Sequence, residues 1–113
     1  MHKGEIWLIN LDPTIGAEIR KMRPAVIVSV DEIGILPLRV IIPITDWKDQ
    51  YSKAAWMVPI LPGTKNGLDK RSVADAFQIR SVLKERFIHK IGVLETDRLK
   101  MILSAIQMVI GVG

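Results

Sequence analysis

The chain has 113 residues, 49% of them hydrophobic, with 16 lysines and arginines against 12 aspartates and glutamates for a formal charge of +4. That length has room for one hydrophobic core, so a single domain over residues 1–113 is expected. With no cysteine, disulfides, thiolate zinc sites and a cysteine nucleophile are excluded, which suits a reducing cytoplasm, and the basic balance favours an anionic partner.

In chain order, "EIWLINL" (5–11) and "PAVIVSV" (24–30) read as the first strands. Asp12-Pro13 stops the opening apolar run too early for a secretory core. Charge or proline breaks every later run well short of a membrane span, so no membrane partner is expected. "LRVIIPIT" (38–45) and "AAWMVPIL" (54–61) follow as strands, each with an internal proline, Pro43 and Pro59, that marks an edge or a bulge. "PGTKNG" (62–67) lacks the ending of a phosphate-binding loop and reads as a hairpin connection. "SVADAFQI" (72–79) alternates Val73, Asp75 and Phe77 against Ala74, Ala76 and Gln78, and "FIHKIGVL" (87–94) closes a set of six strands.

The period then changes. From Thr96, the expected N-cap, Leu99, Ile102, Leu103, Ile106 and Ile110 fall on one helical stripe. Asp97 favours the dipole at the start, and Gly111 and Gly113 end the helix. Met101, Ala105 and Met108 make a second, softer strip, read as core filler. The expected fold is mainly β (α+β), a barrel-like sheet with one C-terminal helix packed on it.

Most catalytic chemistry finds no support. His2 and His89 lie on a terminus and in a strand without metal-ligand spacing, so neither a metal nor another cofactor is expected. What remains is a set of cations: Arg20, Lys21 and Arg23 in one stretch, Lys65, Lys70 and Arg71 in another, and Arg80 beyond a strand. Arg20, Lys21 and Lys65 suit solvated loop charge as well as a phosphate grip. Arg23 differs, because Pro24 restricts its backbone to an extended conformation and a buried strand follows. A guanidinium launched from a fixed base is preorganised to hold a phosphate through two parallel hydrogen bonds.

"GEIWLINLDPTIGAE", "RPAVIVS", "IPIT" and "QIRS" resemble, in this order, the PemK/MazF toxins of type II toxin–antitoxin pairs, a likeness that runs from Gly4 nearly to the C-terminus. The resemblance implies an SH3-like barrel with a C-terminal helix, a homodimer, a cognate antitoxin partner, and an mRNA interferase that cleaves single-stranded RNA. It makes Arg23 and Thr45 the catalytic pair, places Glu18 near the RNA, and puts Gln78 and Arg80 on the strand lining the groove. Arg20 and Lys21 would grip the RNA backbone. One position departs from the family pattern: Phe77 stands where many members carry an acid before the glutamine. Phe77 reads as core packing rather than as a base-stacking surface.

The implied reaction is metal-independent. The ribose 2′-OH attacks the adjacent phosphorus and the 5′-oxygen leaves, with Arg23 stabilising the phosphorane and Thr45 hydrogen-bonding the same phosphate. The alternative is a non-catalytic toxin on the same barrel that inhibits a protein such as DNA gyrase, as a related toxin family does.

Overall fold

β-Branched runs bounded by proline, glycine and charge form seven strands rather than six, in a computed structural model that describes residues 1–13, 15–18 and 21–112. These are β1 (Glu5–Asn10), β2 (Met22–Ile27), β3 (Leu38–Asp46), β4 (Met57–Ile60), β5 (Ser72–Asp75), β6 (Arg80–Leu83) and β7 (Phe87–Val93). Helix α1 (Thr96–Ile110) follows. All pairings are antiparallel, in the order β4-β5-β3-β2-β1-β7, with β6 also paired to β3. The mainly-β fold with a C-terminal helix expected from the pattern is the one that forms.

The seventh strand comes from a break in the 72–79 run. The Asp75 carboxylate accepts the Phe77 N–H at 3.0 Å and turns the chain into a short 3₁₀ segment, Ala76–Gln78. A carboxylate that bonds the backbone two residues on offers an alternative to the strand ladder. The chain re-enters the sheet as β6, so β3 meets β5 along Ile44–Asp46 and β6 along Leu38–Ile41. Pro43 lies opposite that interruption, and Pro59 lies on the edge strand β4, positions where a missing N–H is tolerated.

The coiled sheet has two apolar faces. Ile6, Val26, Ile42, Ile44, Val58, Ile60 and Ala74 form one, closed by Ile102 and Ala105 of α1. Ile9, Leu11, Ala25, Ile27, Ile41 and Val82 form the other, flanked by Trp7 and Phe87. Alternation along β2 and β3 separates the two sets, even-numbered residues facing the helix and odd-numbered ones facing away.

Helix α1 differs from its expected ends and faces in three ways. Its N-cap is Glu95, whose side chain makes no capping bond and instead accepts from Asn66 Nδ2 at 3.2 and 3.3 Å. Gly111 does end it, at φ 77° with its N–H on the Gln107 and Met108 carbonyls, while Gly113 is outside the described residues. Leu99, Ile102, Leu103 and Ile106 pack on the sheet, but Ile110 is exposed. Of the softer strip only Ala105 is buried; Met101 and Met108 are 43% and 48% exposed and line a groove of about 400 Å³ with Met57 of β4.

Candidate functional site

β2 begins two residues earlier than its apolar run, so Arg23 is a strand residue, paired with Ile9 of β1. On its other side β2 pairs with β3 in the register Ala25↔Pro43. Continuing that register by two residues sets Arg23 across from Thr45. The ladder itself stops at Ala25, where Pro24 has no N–H to give. Arg23 and Thr45 thus occupy the face that carries Ala25, Ile27 and Ile41, beyond the edge of its apolar cluster, and both are half-buried.

Arg23 Nε is buried and has no hydrogen-bond partner among the described residues. A buried charged donor without an acceptor costs about 1–3 kcal/mol or more, which makes Arg23 a candidate anion-binding group. Arg80 adds to the positive character of this face. It is the cross-strand partner of Ile41, and its Nη1 donates to the Leu11 carbonyl at 3.3 Å.

The segment from Leu11 to Lys21 joins β1 to β2 and leads straight into Arg23. Its ends are tied by the Leu11 N–H on the Lys21 carbonyl at 3.1 Å and by the Lys21 N–H on Asp12 Oδ1 at 2.9 Å. Lys21 takes a positive φ of 68°, held there by both bonds. Glu18 is exposed in this loop and its Oε1 accepts the Ile15 N–H at 2.7 Å. Gln78 Nε2 reaches the Ala17 carbonyl at 3.5 Å, linking the loop to the 3₁₀ segment between β5 and β6. Arg20 lies outside the described residues.

Arg23, Thr45 and Arg80 therefore share one face, with Glu18, Lys21 and Gln78 joined to it through the β1–β2 loop. Phe77 does not join them, and it is not core: it is 57% exposed and meets Trp56 edge to face at 5.1 Å. Trp56 packs on the helix-side cluster, so Phe77 belongs to that layer and not to the face of Arg23. The acid nearest to it in the chain, Asp75, is buried, and burial holds its carboxyl above the usual range against the opposing pull of the Phe77 N–H.

One pair near the site was not signalled as such by composition. The Trp47 N–H donates to the Arg71 carbonyl at 3.1 Å, carrying the β3–β5 register one step past Asp46↔Ser72. Arg71 stacks on the Trp47 ring at 4.3 Å. Two residues beyond Thr45, Trp47 falls on the same face by strand alternation, a cue the sequence "ITDW" does contain. Among the described residues no group of three or more His, Asp or Glu is placed to hold a metal ion, and no helix is long and apolar enough to cross a membrane.

Known proteins resemble this chain along nearly its whole length. Residues 2–110 match the family described as PemK-like, MazF-like toxin of type II toxin-antitoxin system. The chain is 32% identical to endoribonuclease MazF9 of Mycobacterium tuberculosis over 96% of its length and 94% of the relative. It is 31% identical to endoribonuclease MazF of Staphylococcus saprophyticus over 98% of its length and 92% of that protein. Among solved structures, MazF from Deinococcus radiodurans superposes with a TM-score of 0.81 at 23% identity, covering 98% of this chain and 96% of the other. An endoribonuclease in complex with its cognate antitoxin from Mycobacterial species superposes with a TM-score of 0.79 at 16% identity, covering 100% and 97%.

Proposed function

The chain belongs to the PemK-like, MazF-like toxins of type II toxin–antitoxin systems, and from that premise we propose that it is a metal-independent endoribonuclease that cleaves single-stranded RNA and is neutralised by a cognate antitoxin. The observation that carries this reading is the buried, unpartnered Nε of Arg23 on a strand whose register leads to Thr45. A toxin acting only by protein contact has no need of a half-buried arginine with an unpartnered donor on a strand that leads toward a threonine hydroxyl.

The reaction uses the substrate's own nucleophile. The 2′-oxygen forms a bond to phosphorus, the bond from phosphorus to the 5′-oxygen breaks, and the products are a 2′,3′-cyclic phosphate and a 5′-OH. Arg23 supplies charge-assisted hydrogen bonds to the non-bridging oxygens as negative charge builds, and Thr45 donates to the same phosphate. A guanidinium does not deprotonate in proteins, so proton removal falls to another group. Glu18 is the carboxylate of the loop that leads into Arg23, and we assign it that role. Arg20, Lys21 and Arg80 bind the flanking backbone, while Gln78 contacts nucleotides along the groove. Bases unstacked from a single strand are then read by the loops.

The test is incubation of the protein with a long single-stranded RNA in EDTA, followed by analysis of fragment ends. Fragments ending in 2′,3′-cyclic phosphate are expected. No fragments, or fragments with other ends, would remove the proposal.

A further inference from the structure

We propose that Arg86 is a positioning residue for RNA cleavage, one that fixes the β1–β2 loop from outside the site; this rests on the nuclease reading above. Three consecutive backbone carbonyls at the exit of β1 each accept from an arginine. Arg86 Nη1 donates to Asn10 O at 3.2 Å and to Asp12 O, and Arg80 Nη1 donates to Leu11 O between them. Arg86 ends the 3₁₀ turn Lys84–Arg86 between β6 and β7, and Arg80 opens β6, so both arise from ordered elements.

The same stretch holds the far end of the loop. Asp12 Oδ1 accepts the Lys21 N–H, and the Asp12 N–H donates to Asn10 Oδ1 at 3.1 Å. Asp12 is therefore held by Arg86 through its carbonyl while its carboxylate holds Lys21, two residues before Arg23. A guanidinium bridging two carbonyls is a rigid fork, well suited to set the direction in which a chain leaves a strand. Without it, the Asn10 and Asp12 carbonyls lose the side chain that holds them, and the loop carrying Glu18 is left with the Arg80, Lys21 and Gln78 bonds to Leu11, Asp12 and Ala17. A misplacement of about 1 Å is enough to cost on the order of 10²-fold in rate.

Three readouts on Arg86→Met separate positioning from direct RNA contact: single-turnover cleavage rate, the salt dependence of RNA affinity, and amide exchange over residues 11–21. Positioning predicts a rate about 10–100-fold lower, an unchanged salt slope and faster exchange in that loop. Arg86→Lys, which keeps charge and donors, recovers part of the rate. Asp12→Ala, which frees the Lys21 N–H, gives the same loop exchange and the same direction of rate change even if Arg86→Met folds poorly. A salt slope lowered by about 0.7, the mark of one lost phosphate contact on a single strand, with loop exchange unaltered would overturn the proposal. So would wild-type rate and exchange in both variants. If the wild-type protein cuts no RNA, the nuclease reading fails while loop exchange still reports whether Arg86 holds the loop.

Discussion

Replacing Arg23 by methionine is expected to remove cleavage and raise stability together. The donor lost is the one proposed to stabilise developing charge, and removal of a single such group typically lowers rate about 10²–10³-fold. On the stability side, the buried Nε has no partner among the described residues, and an unsatisfied buried donor costs about 1–3 kcal/mol. Methionine keeps an unbranched stem of similar reach on the strand paired with Ile9, so most of the packing survives. Lost contacts at the end of the stem offset part of the gain, leaving a net of about +1 kcal/mol. For a domain of this size that is a rise in Tm of about 4 °C.

The assay pairs single-turnover cleavage of an RNA with a thermal melt on the same preparation. Opposite movement of the two readouts is a signature that general damage cannot produce, since a misfolded variant loses both. The reasoning is refuted if the variant still cuts within about tenfold of wild type, or if Tm falls by several degrees while cutting is lost. In the second case Arg23 is a structural residue whose removal merely breaks the strand.

Thr45→Val keeps the branched shape on β3 and deletes the hydroxyl. Loss of a hydrogen bond to a charged phosphate, about 1.5–3 kcal/mol, predicts cleavage about 10–150-fold slower with little change in the melt; an unaltered rate would make Thr45 an ordinary strand residue. Asp75→Asn keeps an acceptor for the Phe77 N–H but removes a charge that burial disfavours. Because the folded state holds that proton more tightly than the unfolded chain, ionisation weakens the fold at neutral pH. The variant is therefore more stable than wild type in denaturant titrations at pH 7. Its advantage shrinks as pH falls through the raised pKa and is gone below the ordinary value of 3.8. Asn66→Ala orphans the Gly63 and Leu68 N–H groups and the Leu61 carbonyl, all bonded to a fully buried side chain. A loss of about 3–4 kcal/mol in chemical denaturation is expected, and a loss below about 1 kcal/mol would show that water replaces the amide.

The strands that carry the site were legible because their signals are local. Pro24 forces Arg23 into extended backbone, and the Ala25–Val28 run and the alternation of "VIIPIT" need no tertiary information to read as strand. The break at Asp75 was not legible, since the same residues alternate well enough for a strand and only the side chain's choice of the Phe77 N–H decides otherwise. Phe77 and the exposed methionines of α1 misled for a related reason: apolar periodicity reports that a residue is able to face a core, not that the core has room on that side. Arg86 carried no signal at all. Its acceptors are backbone carbonyls more than seventy residues earlier, and carbonyls are the same in every sequence.

The location of the candidate site follows from where β2 and β3 stop pairing. On one edge β3 is held by β2 up to Pro43 and on the other by β6 and then β5, so the β2 ladder ends where Arg23 and Thr45 would next have paired while β3 stays anchored on its far edge. Pro24 ends the shared ladder without leaving an N–H unsatisfied, which makes an opening in a sheet at little cost. Side chains at that opening inherit fixed positions from the paired strands behind them, yet Arg23 and Thr45 remain only half-buried. A phosphate needs both conditions, a rigid cation and an unobstructed approach. A division of labour follows on the proposed reading: β2, β3 and the tied β1–β2 loop hold the groups that act on the phosphate, while the Trp47–Arg71 edge beyond β3 is placed to meet the bases.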